Sequence, residues 1–360
     1  MTGVGIRERT EPTATQLPHT RVLRLGGLIA LPVRRRSVVV CLLVVALIIV
    51  AGAATLTMGR LGIAFGELLT AIIVPPDGTT AFVLERLRGP RLLTAIGVGA
   101  ALGIAGTLFQ TVTRNPLGSP DVIGLGAGAG AGVAVTTLLW NGLVPTPLGA
   151  LGGAVIAIAL VHLATGRGFA SPSRVIIAGI GVAAMAAAVT QYVVSIGLRD
   201  QASQLAAALA GSLNATDWND VAVLAVTIAV VLPVAGALGG ELRLIELGDD
   251  ATDALGARAI RTRTIAILLS VVAAAGAVTA AGPIAFVALT APQIARRATR
   301  TAGPNLVASA LVGAAIMVTA DLVVQQSPWA DGLPVGVLTA GVGGIYLGFL
   351  LIREWRLGRV

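Results

Sequence analysis

Residues 88–132 read RGPRLLTAIGVGAALGIAGTLFQTVTRNPLGSPDVIGLGAGAGAG. Arg88 and Arg91 flank Pro90 at one end of an apolar run, Arg114 stands at the other, and a Pro-punctuated turn leads into a second apolar run studded with glycine. About 20 apolar residues between charged ends is the length a helix needs to cross the hydrocarbon of a bilayer. The alternation Gly124, Gly126, Gly128, Gly130 and Gly132 has the density of a nucleotide-binding loop. It has no preceding strand and no βαβ unit, so it reads as a surface for close helix packing.

The composition extends this reading to the whole chain. Its 360 residues are 56% hydrophobic and only 12% charged, with a mean hydropathy of +0.90, which places it among polytopic membrane proteins. Forty-six glycines against 3% aromatic residues predict helices that approach through small side chains. All 25 basic residues are arginine. Without lysine there is no P-loop, so ATP hydrolysis must reside in another chain. Cys41 is the single cysteine, and His19 and His162 the only histidines; they form no disulfide framework and no thiolate or imidazole metal site. Iron, if carried, arrives inside a chelator.

In order, residues 1–36 read as a disordered cytoplasmic tail ending in Arg34, Arg35 and Arg36. Apolar runs follow at 37–56, 92–112, 121–140, 145–164, 174–196, 220–240, 264–282, 284–298, 305–324 and 334–352, within a membrane domain at 37–352, and residues 353–360 form a cytoplasmic tail. The reading is an all-α polytopic protein with about ten transmembrane helices and both termini cytoplasmic. Arginine placement supports the parity: twenty fall inside and only Arg60, Arg86, Arg88, Arg91 and Arg199 outside, as the positive-inside rule requires. That distribution follows membrane topology rather than a nucleic-acid surface. The helix ending at Gln110 and Arg114-Asn115-Pro116 is echoed weakly by the one ending at Gln293, Arg296 and Gly303-Pro304-Asn305, as in duplicated transporter halves.

Several positions carry functional meaning. The longest inward loop between spans, ELRLIELGDDATDALGARAIRTR at 241–263, can fold as two short helices broken near Gly248, with Leu244, Leu247, Ala251, Ala254 and Leu255 on one face. Such a helix either lies in the headgroups or docks in a partner's groove. Arg88 and Arg91, at the outer mouth of the second span, either steer an external carboxylate or snorkel to the interface. Asp321 reads as the one carboxylate within an apolar run, either a packing group or a proton relay. Gln191, Tyr192 and Ser195 near the outer end of the fifth span, with Asn214 beyond it, are candidate path-lining groups or interhelical hydrogen-bonders.

Four blocks carry a family resemblance: RGPR through RNPLGSPDVIG at 88–124, ELGDDATDALGAR at 246–258, GPIAFVALTAPQIARR at 282–297, and AD at 320–321 followed by LPVGVLTAGVGGIYLGFLL at 333–351. Their wording and order resemble the permease subunits of the iron-siderophore and vitamin B12 type of ABC importer. The resemblance implies a type II importer permease fold of ten helices in the cytoplasmic (inner) membrane. It also implies a dimer around a central path, two ABC ATPase subunits on the cytoplasmic side, and an extracytoplasmic substrate-binding protein.

On this chain it places ATPase coupling at Glu246, Leu247, Gly248, Ala251, Ala254, Leu255, Gly256 and Arg258, and binding-protein docking at Arg88 and Arg91. The chain then has no catalytic residue and binds no cofactor or metal; ATP-Mg is used by the partner. Gln293 stands where many relatives have histidine, Ala288 where many have glycine, and Gln325 where the vitamin B12 permease has a further docking arginine. These departures favour a siderophore cargo and a heterodimer with a second permease. Haem or vitamin B12 is the alternative cargo, and an ion-coupled secondary transporter the alternative mechanism.

Overall fold

The computed structural model describes residues 21–25, 29–59, 61–71, 73–140, 143–166, 172–196, 209–330 and 332–356. Two strands, β1 (Arg21–Leu25) and β2 (Ile29–Val33), form an antiparallel hairpin. This departs from the disorder expected of the tail; the strands are rich in Val, Leu and Ile and the residues between them begin with Gly26-Gly27, a composition that favours a tight reversal. His19 and the rest of residues 1–20 lie outside the described residues.

The remainder is helical: α1 (Arg35–Thr57), α2 (Phe65–Thr70), α3 (Gly78–Thr113), α4 (Leu125–Leu139), α5 (Thr146–Thr165), α6 (Pro172–Ile196), α7 (Trp218–Ala237), α8 (Gly239–Ile245), α9 (Asp249–Ala254), α10 (Ala259–Ala281), α11 (Val287–Thr299), α12 (Leu306–Gln326) and α13 (Val335–Arg356). Each of the ten apolar runs coincides with a helix. Among the described residues seven are long and apolar enough to cross a membrane, and α4 and α13 add shorter apolar stretches.

The eighth run, 284–298, is the exception. α11 has 13 residues, which reach about 20 Å, too short to span. Residues 282–286 precede it without helical structure, with Gly282 and Phe286 at φ of +73° and +67°, so an irregular segment and a half-helix stand where the sequence predicts one span. Non-helical backbone at membrane depth is tolerated where protein surrounds it. Here the loop at 209–214 does so: the Ser212 amide donates to the Ala281 carbonyl at 2.8 Å and the Gly336 amide to the Gly211 carbonyl at 3.1 Å.

α3 is the central helix, buried from Thr94 to Val112 on most faces. It lies against α12 so closely at Gly99 and Gly313 that a methyl group on either would overlap the other's backbone carbonyl. Small residues here let helix backbones touch in a medium where burying larger apolar chains gains little over lipid. The glycine alternation of α4 does the same work against α5, where Gly132 meets Gly149 and Gly128 meets Gly153 and Ala157. α1 is peripheral, burying only Ala51, Gly52 and Thr55 and turning Leu42, Leu43, Leu47, Ile49 and Val50 outward.

Candidate functional site

The expected functional residues fall at the two ends of this bundle. At the outer mouth, the π-helical turn Val83–Leu87 leads into Arg88 and Arg91, three residues apart on one side of α3. Arg88 Nη1 donates to the carbonyls of Thr55 at 2.7 Å, Leu56 at 3.2 Å and Met58 at 2.6 Å, so it closes the C-terminus of α1, whose last carbonyls have no helical partner. Arg91 forms a fork on Asp321 of α12, with Nε at 3.0 and 3.1 Å from the two oxygens and Nη2 at 2.7 Å. Gln325, one turn further along α12, donates to the same carboxylate at 2.6 Å. The Asp321 side chain is 2% exposed and that of Arg91 18%. The carboxylate in the apolar run is therefore a packing group with a full set of donors, and the arginine expected to face outward is also an internal tie.

The inner end is built on the loop after α7. α8 and α9 are the two short helices expected, and Gly248 separates them with φ of +114°. Leu242 and Ile245 anchor α8 in the core, while Leu247 and Leu255 stand 65% and 62% exposed. Ala254, Gly256 and Arg258 are exposed beside them, with Glu246, Gly248 and Ala251 half-buried. The loop is held by charge. Asp249 accepts from Arg114 at 2.9 Å and from Arg263 at 2.5 Å, joining α9 to the end of α3 and to α10. Glu246 lies 3.9 Å from Arg296, and the Thr262 hydroxyl donates to Glu241. Burial pushes the Glu246 carboxyl above its ordinary value, an effect that Arg296 and Arg243 partly offset.

Between the ends, Gln293 of α11 donates to Gln110 Oε1 at 2.8 Å and to the Pro116 carbonyl at 2.9 Å, and Gln110 donates to the Leu289 carbonyl at 3.1 Å. The two glutamines of the sequence echo thus meet inside the bundle. Asp121 is a second carboxylate at depth, which corrects the expectation that Asp321 stands alone. It precedes α4 in the 3-10 turn Pro120–Ile123 and lines a cavity of about 450 Å³ with Leu209, Ala210, Pro283, Ile284 and Gly336. Its position at the first residue of an apolar run concealed it in the sequence.

The proposed path residues are not gathered in one place. Gln191, Tyr192 and Ser195 are exposed on the outer half of α6, where the Ser195 hydroxyl donates to the Tyr192 carbonyl at 2.7 Å. Asn214 lines a separate cavity of about 550 Å³ with Ser212, Thr216, Asp220 and Thr279. Arg199 lies outside the described residues.

A family model described as the FecCD transport family matches residues 43–353. Among curated proteins, the chain is 40% identical over 325 residues to the ferric enterobactin transport system permease protein FepG of Escherichia coli, covering 90% of this chain and 98% of that one. It is 32% identical over 326 residues to the Fe(3+)-citrate import system permease protein YfmE of Bacillus subtilis, covering 90% and 97%. Among solved structures, an inward-facing conformation of a metal-chelate type ABC transporter superposes with a TM-score of 0.77 at 25% identity, over 87% of this chain and 99% of that one.

Proposed function

Because the chain belongs to the FecCD transport family, we propose that it is the membrane-spanning permease subunit of an ATP-binding-cassette importer and that its cargo is a ferric siderophore. The observation that carries the mechanism is the inward loop: two short helices present Leu247 and Leu255 outward while Asp249 ties them to α3 and α10. An exposed apolar pair in the turns that flank a short tethered helix suits the groove of a partner, here a cytoplasmic ATPase whose closure on ATP-Mg would move the loop. The tether passes that motion to α3, the helix that runs to the outer mouth.

There the substrate-binding protein would meet Arg88 and Arg91, guanidinium groups already fixed in place by internal bonds. Preorganised charge lowers the ordering cost of docking. A path between two permeases is lined by groups that are exposed in one chain, which fits the exposure of Gln191, Tyr192 and Ser195. Gln325 is turned inward on Asp321 rather than outward as a third docking group, which supports a heterodimer whose second permease completes the docking surface. The cargo reading rests on the ferric enterobactin and ferric citrate named for the relatives.

The test is uptake of labelled ferric siderophores, haem and cobalamin in cells with and without this gene, the ATPase partner being intact. Loss of one ferric siderophore class is expected; loss of cobalamin alone would overturn the cargo, and uptake that survives deletion of the ATPase would overturn the mechanism. For docking, Arg88→Glu is expected to weaken binding-protein association about tenfold or more in a salt-sensitive way. Unchanged affinity at low salt would sink that assignment.

A further inference from the structure

The cytoplasmic corner where α1 begins and α11 ends gathers an arginine cluster that the transport reading does not use. Arg36 Nε donates to the Ala298 carbonyl at 2.8 Å, and the hydroxyls of Ser37 and Thr301 are 3.0 Å apart. Above these bonds Cys41 and Val44 of α1 pack on Ala291 and Ala295 of α11 and on Ala308 and Val312 of α12, so the corner is fixed by α1 against two consecutive helices more than two hundred residues further along the chain. Arg35, Arg36, Arg297 and Arg300 are exposed on it. Among the described residues four ion pairs occur within 4 Å, and none involves these four side chains. The acids of the inward loop do not reach them: Asp249 faces Arg114 and Arg263, Glu246 faces Arg296, and Glu241 accepts from Thr262. The α1 and α12 helices both begin here without a side-chain cap, which adds the positive ends of two long helix dipoles.

We propose that this corner is a binding site for the headgroup of an anionic phospholipid of the cytoplasmic leaflet. Guanidinium forks match phosphate oxygens in geometry and charge, and basic clusters at the cytoplasmic end of membrane helices hold anionic headgroups. The occupant is lipid because of where the cluster sits. α1 is the peripheral helix, and Val38, Val39, Leu42 and Leu43 directly above the arginines face outward, so acyl chains have an apolar wall to lie on. The ATPase-facing residues Leu247 and Leu255 are on a different loop, after α7.

The experiment is native mass spectrometry of the full chain, with its permease partner, released from bilayers of phosphatidylcholine containing phosphatidylglycerol. The unaltered protein is expected to retain phosphatidylglycerol in preference to phosphatidylcholine. Arg35→Gln with Arg36→Gln, Arg297→Gln and Arg300→Gln is expected to lower that preference at least about tenfold, while the corresponding lysine variant keeps most of it. An equal preference in the glutamine variant would overturn the site. So would loss of ATPase association in pure phosphatidylcholine with lipid preference unchanged, which would give the surface to the ATPase. A photoactivatable phosphatidylglycerol on the unaltered chain avoids any folding defect: crosslinks are expected in residues 34–44 and 294–306, and crosslinks confined to other segments would overturn the proposal.

Discussion

The outer mouth and the inner loop are both tied by arginine–aspartate pairs, but in opposite surroundings. Asp321 is 2% exposed and held by Arg91 and Gln325, whereas Asp249 is 42% exposed and shared between Arg114, 39% exposed, and Arg263, which is fully buried. A buried carboxylate cannot exchange its donors for water, so removing one leaves a charge without compensation. A half-exposed one can, and the pair is then worth far less. The outer pair therefore fixes α3 to α12 as one body, while at the inner cluster the half-exposed contact between Arg114 and Asp249 can release and re-form as the loop moves. Rigidity at the outer mouth and an exchangeable contact at the inner loop suit the proposed docking of a partner at one end and transmission of motion from the other.

The sharpest way to break this comparison is to remove Arg91. Arg91→Ala leaves Asp321 at depth with Gln325 as its donor and is expected to cost about 3 kcal/mol or more, seen as a fall of several degrees in the thermal unfolding midpoint in detergent. Arg91→Ala combined with Asp321→Ala is expected to be less harmful than Arg91→Ala alone, because both charges leave together. Additive losses would show that the two side chains act independently, and the outer mouth would then be no more fixed than the inner loop.

Removing Arg114, the half-exposed partner of Asp249, sharpens the other side. Arg114→Ala leaves Asp249 on Arg263 and is expected to cost about 1 kcal/mol in stability, a smaller loss than at the mouth, yet to separate ATP hydrolysis from uptake. In proteoliposomes carrying the ATPase and binding protein, hydrolysis should persist while transport per ATP falls several-fold. A proportional loss of both would mean that the loop serves assembly and not transmission.

How much of this was legible beforehand follows from which signals are local. Apolar length and arginine placement gave ten runs and their parity, and Gly248 marked the break between α8 and α9 because a positive φ favours glycine. The half-length of α11 was not legible. GPIAFVALTAPQIARR is apolar throughout its first part, and only the backbone of residues 282–286, with left-handed Phe286, shows that its beginning is not helical. Arg88 and Arg91 were found by wording, but their partners were not: Asp321 is 230 residues from Arg91, and sequence spacing carries no trace of such a pairing. The same holds for Gln110 and Gln293, 183 residues apart, where the weak echo between the two helix ends was the one available signal.

The smallest expected effect concerns Glu246, which lies between the two extremes in exposure at 28%. Burial raises its carboxyl pKa above the ordinary 4.5, with Arg296 and Arg243 acting in the opposite direction. The native state thus binds the proton more tightly than the unfolded chain, so stability falls as pH rises through the native pKa and recovers as pH drops back toward 4.5. Above that window the ionised carboxylate is a net cost. Glu246→Gln is expected to raise the unfolding midpoint slightly at neutral pH, by less than about 1 kcal/mol, and the gain should vanish as the pH approaches 4.5. A variant less stable than the parent at neutral pH, with the deficit shrinking on acidification, would mean that the pairing with Arg296 outweighs burial. The inner loop would then be held by its charges more tightly than its exposure implies, and the contrast with the outer mouth would narrow.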